Sequence, residues 1–239
     1  MNARTQQELR DLWSTALASE VERVSSVSPD WPTDRWRRAG RTTKAKPNGE
    51  DLTWWTEEGV RQLEQYTQWL SETNWKFVAH EGQPLIEADV SGHIDGIHVK
   101  GFVDAVMEDD AGNIVLVDYK TGSRTPAAMM QLGVYRVMLA KATGVDATHG
   151  SFWMTRKGEP TEPSPLGRYD ERYVTRLFQQ FDFAVSNEVF IPKEGSGCWS
   201  CDVRSACYVQ GGVDAWKFDP DSPHYKGLQT QEPNKKGGK

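Results

Sequence analysis

The stretch GFVDAVMEDDAGNIVLVDYKTG, residues 101–122, limits the possible folds of this chain more than any other segment. Two apolar runs, Val99 to Met107 and Ile114 to Lys120, flank the polar turn Glu108-Asp109-Asp110-Ala111-Gly112-Asn113, which is a β-hairpin pattern. Ile114-Val115-Leu116-Val117 is apolar on both alternating faces, so the second strand belongs inside a sheet covered on two sides. With the turn centred on Ala111, cross-strand partners have numbers summing to 222, as those of Asp104 and Asp118 do. The two carboxylates then face each other with Cβ atoms ~5 Å apart. They repel unless a cation sits between them, and oxygen ligands suit Mg²⁺ or Mn²⁺. Lys120 lies two residues beyond Asp118 and so on the same strand face. Two acids and one ammonium around one point suit phosphodiester hydrolysis, in which a metal activates water and a lysine steadies developing negative charge. An Asp-x-Lys alone at a strand end is ordinarily a salt bridge. The facing Asp104 changes that reading, because two acids and one lysine leave a charge uncompensated.

The flanking segments predict an α/β fold. Trp55, Gly59, Leu63, Tyr66 and Leu70 recur at helical steps within Thr53 to Asn74. Leu85 to His98 is a β region interrupted by Gly92 and Gly96. Thr125-Pro126 can open a helix, with Thr as cap and Pro at its first position, that runs to about Ala142 and stops before Gly144. His149 to Thr155 reads as a strand and Asp170 to Asn187 as an amphipathic helix. On the helix after the hairpin, Gln131 and Tyr135 share one face, which can present an amide and a phenol beside the acids.

The net charge of −6 gives no general attraction to nucleic acid. One local basic strip stands out: Arg35, Arg37, Arg38, Arg41, Lys44 and Lys46, with Asp34 its sole acid. It reads either as a solvated linker or as a phosphate-contacting arm. No apolar run is long enough for a membrane span, and MNARTQQELRDLW has no apolar segment of a secretory signal, so a cytoplasmic location is expected.

The motifs G-x-x-D (Gly101 to Asp104), V-D-Y-K-T-G (Val117 to Gly122) and Q-x-x-x-Y (Gln131 to Tyr135), in this order, resemble those of the PD-(D/E)XK nuclease superfamily. The pattern is most similar to the RecB-like exonuclease branch, including the AddB nuclease domain and the CRISPR-associated cysteine-cluster exonucleases. The resemblance covers roughly residues 85–210. It implies a restriction-endonuclease-like core, a central mixed sheet flanked by helices. It further implies that Asp104, Asp118 and the Tyr119 carbonyl are metal ligands and Lys120 the catalytic lysine, with Gln131 and Tyr135 as auxiliary residues. Glu87 resembles an extra acidic position of some members and reads equally as an exposed strand residue. Gly92-His93-Ile94-Asp95 is a rival G-x-x-D, and the hairpin symmetry assigns Asp95 to a surface turn instead. Many relatives carry a metal-binding histidine on the helix before the sheet. Here that helix has none, and Gln62, Glu64 and His80 are the candidates to replace it.

All three cysteines, Cys198, Cys201 and Cys207, fall in a C-x2-C-x5-C group. In a cytoplasmic chain this argues for a metal or cluster site over disulfides. It resembles the C-terminal cysteines of the same branch, where a fourth cysteine completes a [4Fe–4S] cluster. With that fourth thiol missing, a cluster with another ligand, Zn²⁺, or a vestigial site are the readings left open. The expected organisation is an N-terminal extension (1–48), a nuclease core (49–190), a cysteine segment (191–215) and a flexible tail (216–239). The expected activity is metal-dependent DNA hydrolysis by an exonuclease in recombination, repair or end-processing, with recombination, repair or helicase partners. An endonuclease of the same superfamily, or a non-catalytic DNA-binding subunit of the same fold, are the alternatives.

Overall fold

The computed structural model describes residues 5–27, 44, 49–187, 189, 191–195, 197, 198 and 201–218. The helices are α1 (Gln6–Val27), α2 (Leu52–Glu72), α3 (Met130–Thr143) and α4 (Glu171–Ser186). The strands are β1 (Lys76–Phe77), β2 (Ala79–His80), β3 (Gln83–Pro84), β4 (Ile86–Asp89), β5 (Gly92–Ile94), β6 (Ile97–Val99), β7 (Phe102–Glu108), β8 (Ile114–Lys120), β9 (His149–Met154), β10 (Glu159–Pro160) and β11 (Ser164–Pro165). The chain divides into two compact units, residues 1–179 and 180–239. All the strands lie in the first unit. The second carries the three cysteines and short 3-10 turns at Arg204–Ala206 and Ala215–Phe218.

The hairpin has the expected register. Ala105, Val106, Met107 and Glu108 pair with Val117, Leu116, Val115 and Ile114. Its turn is held by Asp109, whose carboxylate accepts the backbone N–H groups of Ala111 and Asn113. The main sheet runs β1-β7-β8-β9-β10, with β4 on β7 and β11 on β9. Among the described strands only β8 and β9 pair in parallel, which makes the sheet mixed. A parallel pair needs a crossover, and α3 supplies it.

Strand alternation sorts the core into two layers. Val106, Leu116, Phe152 and Met154 pack with Leu132, Val137, Met138 and Leu139 of α3. On the other face Ala105, Met107, Val115, Val117 and Trp153 meet Tyr66, Trp69 and Leu70 of α2. The α/β class is thus realised as a mixed sheet flanked by helices.

Helix α1, 22 residues long, lies within the segment expected as an N-terminal extension. It packs on α2, its Trp13 indole donating to the Trp55 carbonyl at 2.9 Å while the ring occupies space a Cβ at Gly59 would fill. The β region Leu85 to His98 resolves into β4 and a separate hairpin, β5–β6, with Asp95 and Gly96 at its turn in left-handed backbone. Helix α3 begins at Met130, not at Thr125-Pro126. The reason is burial: residues 121–125 are exposed, Leu132 and Gly133 are the first buried positions, and a helical turn with nothing to pack on gains too little to form. Its end is as expected, with Gly144 left-handed and donating back to Ala140. No helix among the described residues is long and apolar enough to cross a membrane.

Candidate active site

On β8, Val115, Val117 and Tyr119 alternate with Leu116, Asp118 and Lys120, so the two charged residues project together towards the α3 side. Asp118 is 4% exposed. Lys120 Nζ lies 2.6 Å from Asp118 Oδ2, a close ion contact. That oxygen is buried, with the Lys120 ammonium as its charge partner. Burial pushes the Asp118 carboxyl above the usual aspartate range; Lys120 opposes this and the nearby charge of Asp104 adds to it.

Asp104, half-buried on β7, comes one step beyond the last printed pair, Ala105 with Val117, where the register carries it opposite Asp118. Its Oδ2 accepts the Tyr119 backbone N–H at 2.7 Å, which ties the two strands together at the acids. Tyr119 turns its side chain to the α2 face, where its hydroxyl lies 2.5 Å from that of Tyr66. Burial, with Tyr66 next to it, raises the Tyr119 phenol far above its ordinary value.

Helix α3 closes the site from its first turn. Lys120 Nζ donates to Gln131 Oε1 at 3.1 Å, and Gln131 Nε2 donates to the Tyr135 hydroxyl at 3.3 Å. Tyr135 in turn lies against Gly101, where an added Cβ would come within 3.3 Å of the ring. This gives a physical reason for the glycine of the G-x-x-D run: it leaves room for the aromatic ring that ends the Asp118–Lys120–Gln131–Tyr135 chain.

Glu87 sits on the edge strand β4 between the pairs Ile86–Ala105 and Ala88–Val103, so the register sets it opposite Asp104. It is exposed and its φ is 49°, a left-handed conformation that costs a non-glycine residue about 1–3 kcal/mol. Glu87, Asp104 and Asp118 therefore occupy one row across three neighbouring strands, and the charges of Asp104 and Glu87 both contribute to the raised Tyr119 value.

The candidate replacements for a helical histidine differ in setting. Gln62 is buried and donates to Glu58 at 2.9 Å. Glu64 has a buried, unpartnered Oε1, yet helical geometry puts it ~160° around α2 from Tyr66, away from the sheet. His80 lies on the small β2–β3 hairpin, 3.9 Å from Glu81. Lys44 is exposed; Arg35, Arg37, Arg38, Arg41 and Lys46 fall outside the described residues, as does the tail from residue 219. Cys198, Cys201 and Cys207 are free thiols, Cys201 exposed and the others half-buried. Cys198 Sγ accepts the Gly195 N–H at 3.3 Å. Among the described residues, no three His, Cys, Asp or Glu side chains converge as a metal-holding group.

Three residues at the site escaped the sequence reading. Thr155 donates from its N–H and its hydroxyl to the Lys120 carbonyl, at 3.1 and 3.2 Å. Arg156 bridges the Thr121 carbonyl and Glu50. The run Thr155-Arg156 carries no local signal, and only knowledge that β9 pairs in parallel with β8 would have found it.

A family model described as the PD-(D/E)XK nuclease superfamily matches residues 3–208. The gene 69 protein of Mycobacterium phage D29 is 32% identical over 200 residues, 73% of this chain and 72% of its own length. The gene 69 protein of Mycobacterium phage L5 is also 32% identical, over 170 residues, which cover 69% of this chain and 56% of that protein.

Proposed function

The chain belongs to the PD-(D/E)XK nuclease superfamily, and from that premise we propose that it is a Mg²⁺- or Mn²⁺-dependent deoxyribonuclease. The reading places it in the RecB-like branch, as an exonuclease acting at DNA ends or in single strands during recombination, repair or end-processing. The observation that carries it is the Asp118 carboxylate, buried on β8 with Lys120 against its Oδ2 and a second acid, Asp104, carried opposite it by the register. Burial and the charge of Asp104 both work against the ionised Asp118, and a single lysine between two acids leaves a negative charge for a cation to neutralise. Hard divalent cations take oxygen donors, so the donor set fits the ion.

Asp104, Asp118 and the Tyr119 carbonyl would hold that ion, with Glu87 as a further acid. When bound, it supplies Lewis-acid polarisation of the phosphate and lowers the pKa of water. Lys120, 28% exposed at its side chain, keeps its ammonium at the acids while reaching solvent, placed to orient an attacking water or steady charge on the phosphate. Gln131 aims the lysine through its Oε1, and its amide with the Tyr135 phenol offers hydrogen bonds to a nucleic-acid strand. Phe102 favours the same substrate: it is 42% exposed, two residues before Asp104 on the same face, with Lys100 Nζ 5.6 Å from its ring centre. An exposed aromatic beside a cation suits a base and its phosphate. The basic strip Arg35, Arg37, Arg38, Arg41, Lys44 and Lys46 is the proposed phosphate-contacting arm. Its last member is four residues before Glu50 in the sequence, and Glu50 is bonded to the arginine that holds Thr121.

The test is cleavage of end-labelled linear single- and double-stranded DNA, and of closed circles, with Mg²⁺ or Mn²⁺. Wild type should degrade linear DNA and spare circles, while Asp118→Ala and Lys120→Ala should be inactive. Equal degradation by all three proteins would remove the proposal, and cleavage of circles would replace exonuclease by endonuclease. At the cysteines, the C-x2-C-x5-C spacing favours a [4Fe–4S] cluster or Zn²⁺, but the described side chains form no cage for either. Anaerobic purification with visible absorption and iron and zinc analysis decides between cluster, zinc and bare thiols.

A further inference from the structure

Resting on the nuclease reading, we propose that Arg156 and Glu50 form a clamp that positions Lys120 by holding the backbone at the end of β8. Arg156 Nε donates to the Thr121 carbonyl at 2.6 Å. Its two terminal nitrogens donate to both oxygens of Glu50, at 2.6 and 2.7 Å. The guanidinium lies 5.4 Å from the Trp54 ring centre and 5.6 Å from that of Trp55, two rings set edge to face. One step back, Thr155 holds the Lys120 carbonyl with two donors. Consecutive carbonyls at the end of β8, that of Lys120 and that of Thr121 just after it, are thus gripped by consecutive residues after β9.

This grip matters because β8 ends at Lys120 and residues 121–125 are exposed. A strand end with no ladder beyond it frays, and fraying here would swing the ammonium away from Asp118 and Gln131. The Glu50 side chain is only 10% exposed, so the ion pair is largely desolvated and depends on both partners. An ion pair that served packing alone would need no bond to Thr121. The planar guanidinium meets both demands, sending three of its five donors in fixed directions; a lysine ammonium can satisfy Glu50 but has no such fork for Thr121. Arg156 is therefore a positioning residue. It acts through Thr121 and touches none of Asp104, Asp118 or Lys120 side chains in the contacts described.

The experiment compares kcat and KM for linear DNA, with thermal melting, in wild type, Arg156→Lys and the double variant Glu50→Met/Arg156→Met. The double variant removes both members of the pair together, so it should fold and melt near wild type. Its kcat should fall ~10–100-fold with KM within about twofold, as expected when a reacting group is displaced by a fraction of an ångström to one ångström. Arg156→Lys should keep the melting temperature yet show much of the same kcat loss. A folded double variant with wild-type kcat would overturn the clamp. So would a raised KM at unchanged kcat, which would make Arg156 a substrate contact. If the double variant fails to fold, Arg156→Lys decides alone, and full kcat in it rejects the proposal. A wild type that cleaves no DNA sinks the nuclease reading and the clamp with it; an active wild type indifferent to these changes sinks only the clamp.

Discussion

The two faces of strand β8 come from alternate residues of one seven-residue segment, yet they follow opposite rules. On the α2 side, Val115, Val117 and Tyr119 enter an aromatic layer in which Trp153 is 1% exposed and its ring lies 4.7 Å from Trp69 and 5.1 Å from Tyr66. Even the polar atom there is satisfied, since the Tyr119 hydroxyl meets that of Tyr66. On the α3 side, Leu116 joins the core, but Asp118 two residues on is a buried carboxylate with Lys120 as its charge partner and a second acid nearby. One face is arranged for stability. The other carries a local cost beside a solvent-reaching lysine, the pattern of a site whose strain is offset elsewhere.

That comparison can be broken most sharply at Asp118. Asp118→Asn should lower cleavage by about 10³-fold while leaving the fold intact. Its carboxyl is raised, so in metal-free protein the cost of the charge is present above the folded value and absent below the ordinary aspartate value of 3.8. The asparagine variant should therefore melt at or above wild type near neutral pH in chelator. Mg²⁺ should raise the wild-type melting temperature and not that of the variant. A variant that melts far lower would place Asp118 among the stabilising residues and dissolve the contrast.

On the opposite face, Trp153→Ala should cost about 3–5 kcal/mol in denaturant unfolding, with little change in metal affinity of the folded fraction. Smaller still, Tyr119→Phe should cost about 1–2 kcal/mol by stranding the Tyr66 hydroxyl, with kcat within about twofold of wild type. A collapse of kcat in Tyr119→Phe would show that the two faces are not separable.

The smallest effect is expected on α2. The Arg61 guanidinium hydrogen-bonded to Glu58 holds its carboxyl below the ordinary value of 4.5, against the opposing effect of burial. A depressed acid stabilises above its unfolded value, and that contribution disappears as pH falls through the folded one. Glu58→Gln should thus cost a few tenths of a kcal/mol at neutral pH, and nothing in acid well below 4.5. Melting curves of both proteins across pH 3–7 check the sign.

Much of the site was legible because strand and helix periods are rigid. Once a symmetric turn is centred on Ala111, the register of Asp104 against Asp118 follows, as does the shared face of Asp118 and Lys120. Gln131 and Tyr135 followed in the same way from the helical period. The start of α3 was not legible, because Thr125-Pro126 is a valid local cap and only the absence of anything to pack against there rejects it. Glu87 could be named but not its left-handed backbone, which depends on pairing with β7 on either side. Arg156 and Glu50, 106 residues apart, meet only through the placing of α2 and β9 around the end of β8.

The sequence by itself therefore determined the α/β class, the hairpin, and which residues share a face, since these rest on periods of two and 3.6 that act over a few positions. Tertiary structure alone decided how deeply those residues are buried and where α3 begins. It also decided which distant arginine holds the end of β8. Those outcomes depend on desolvation and close contact between segments far apart in the chain, and no local pattern encodes them.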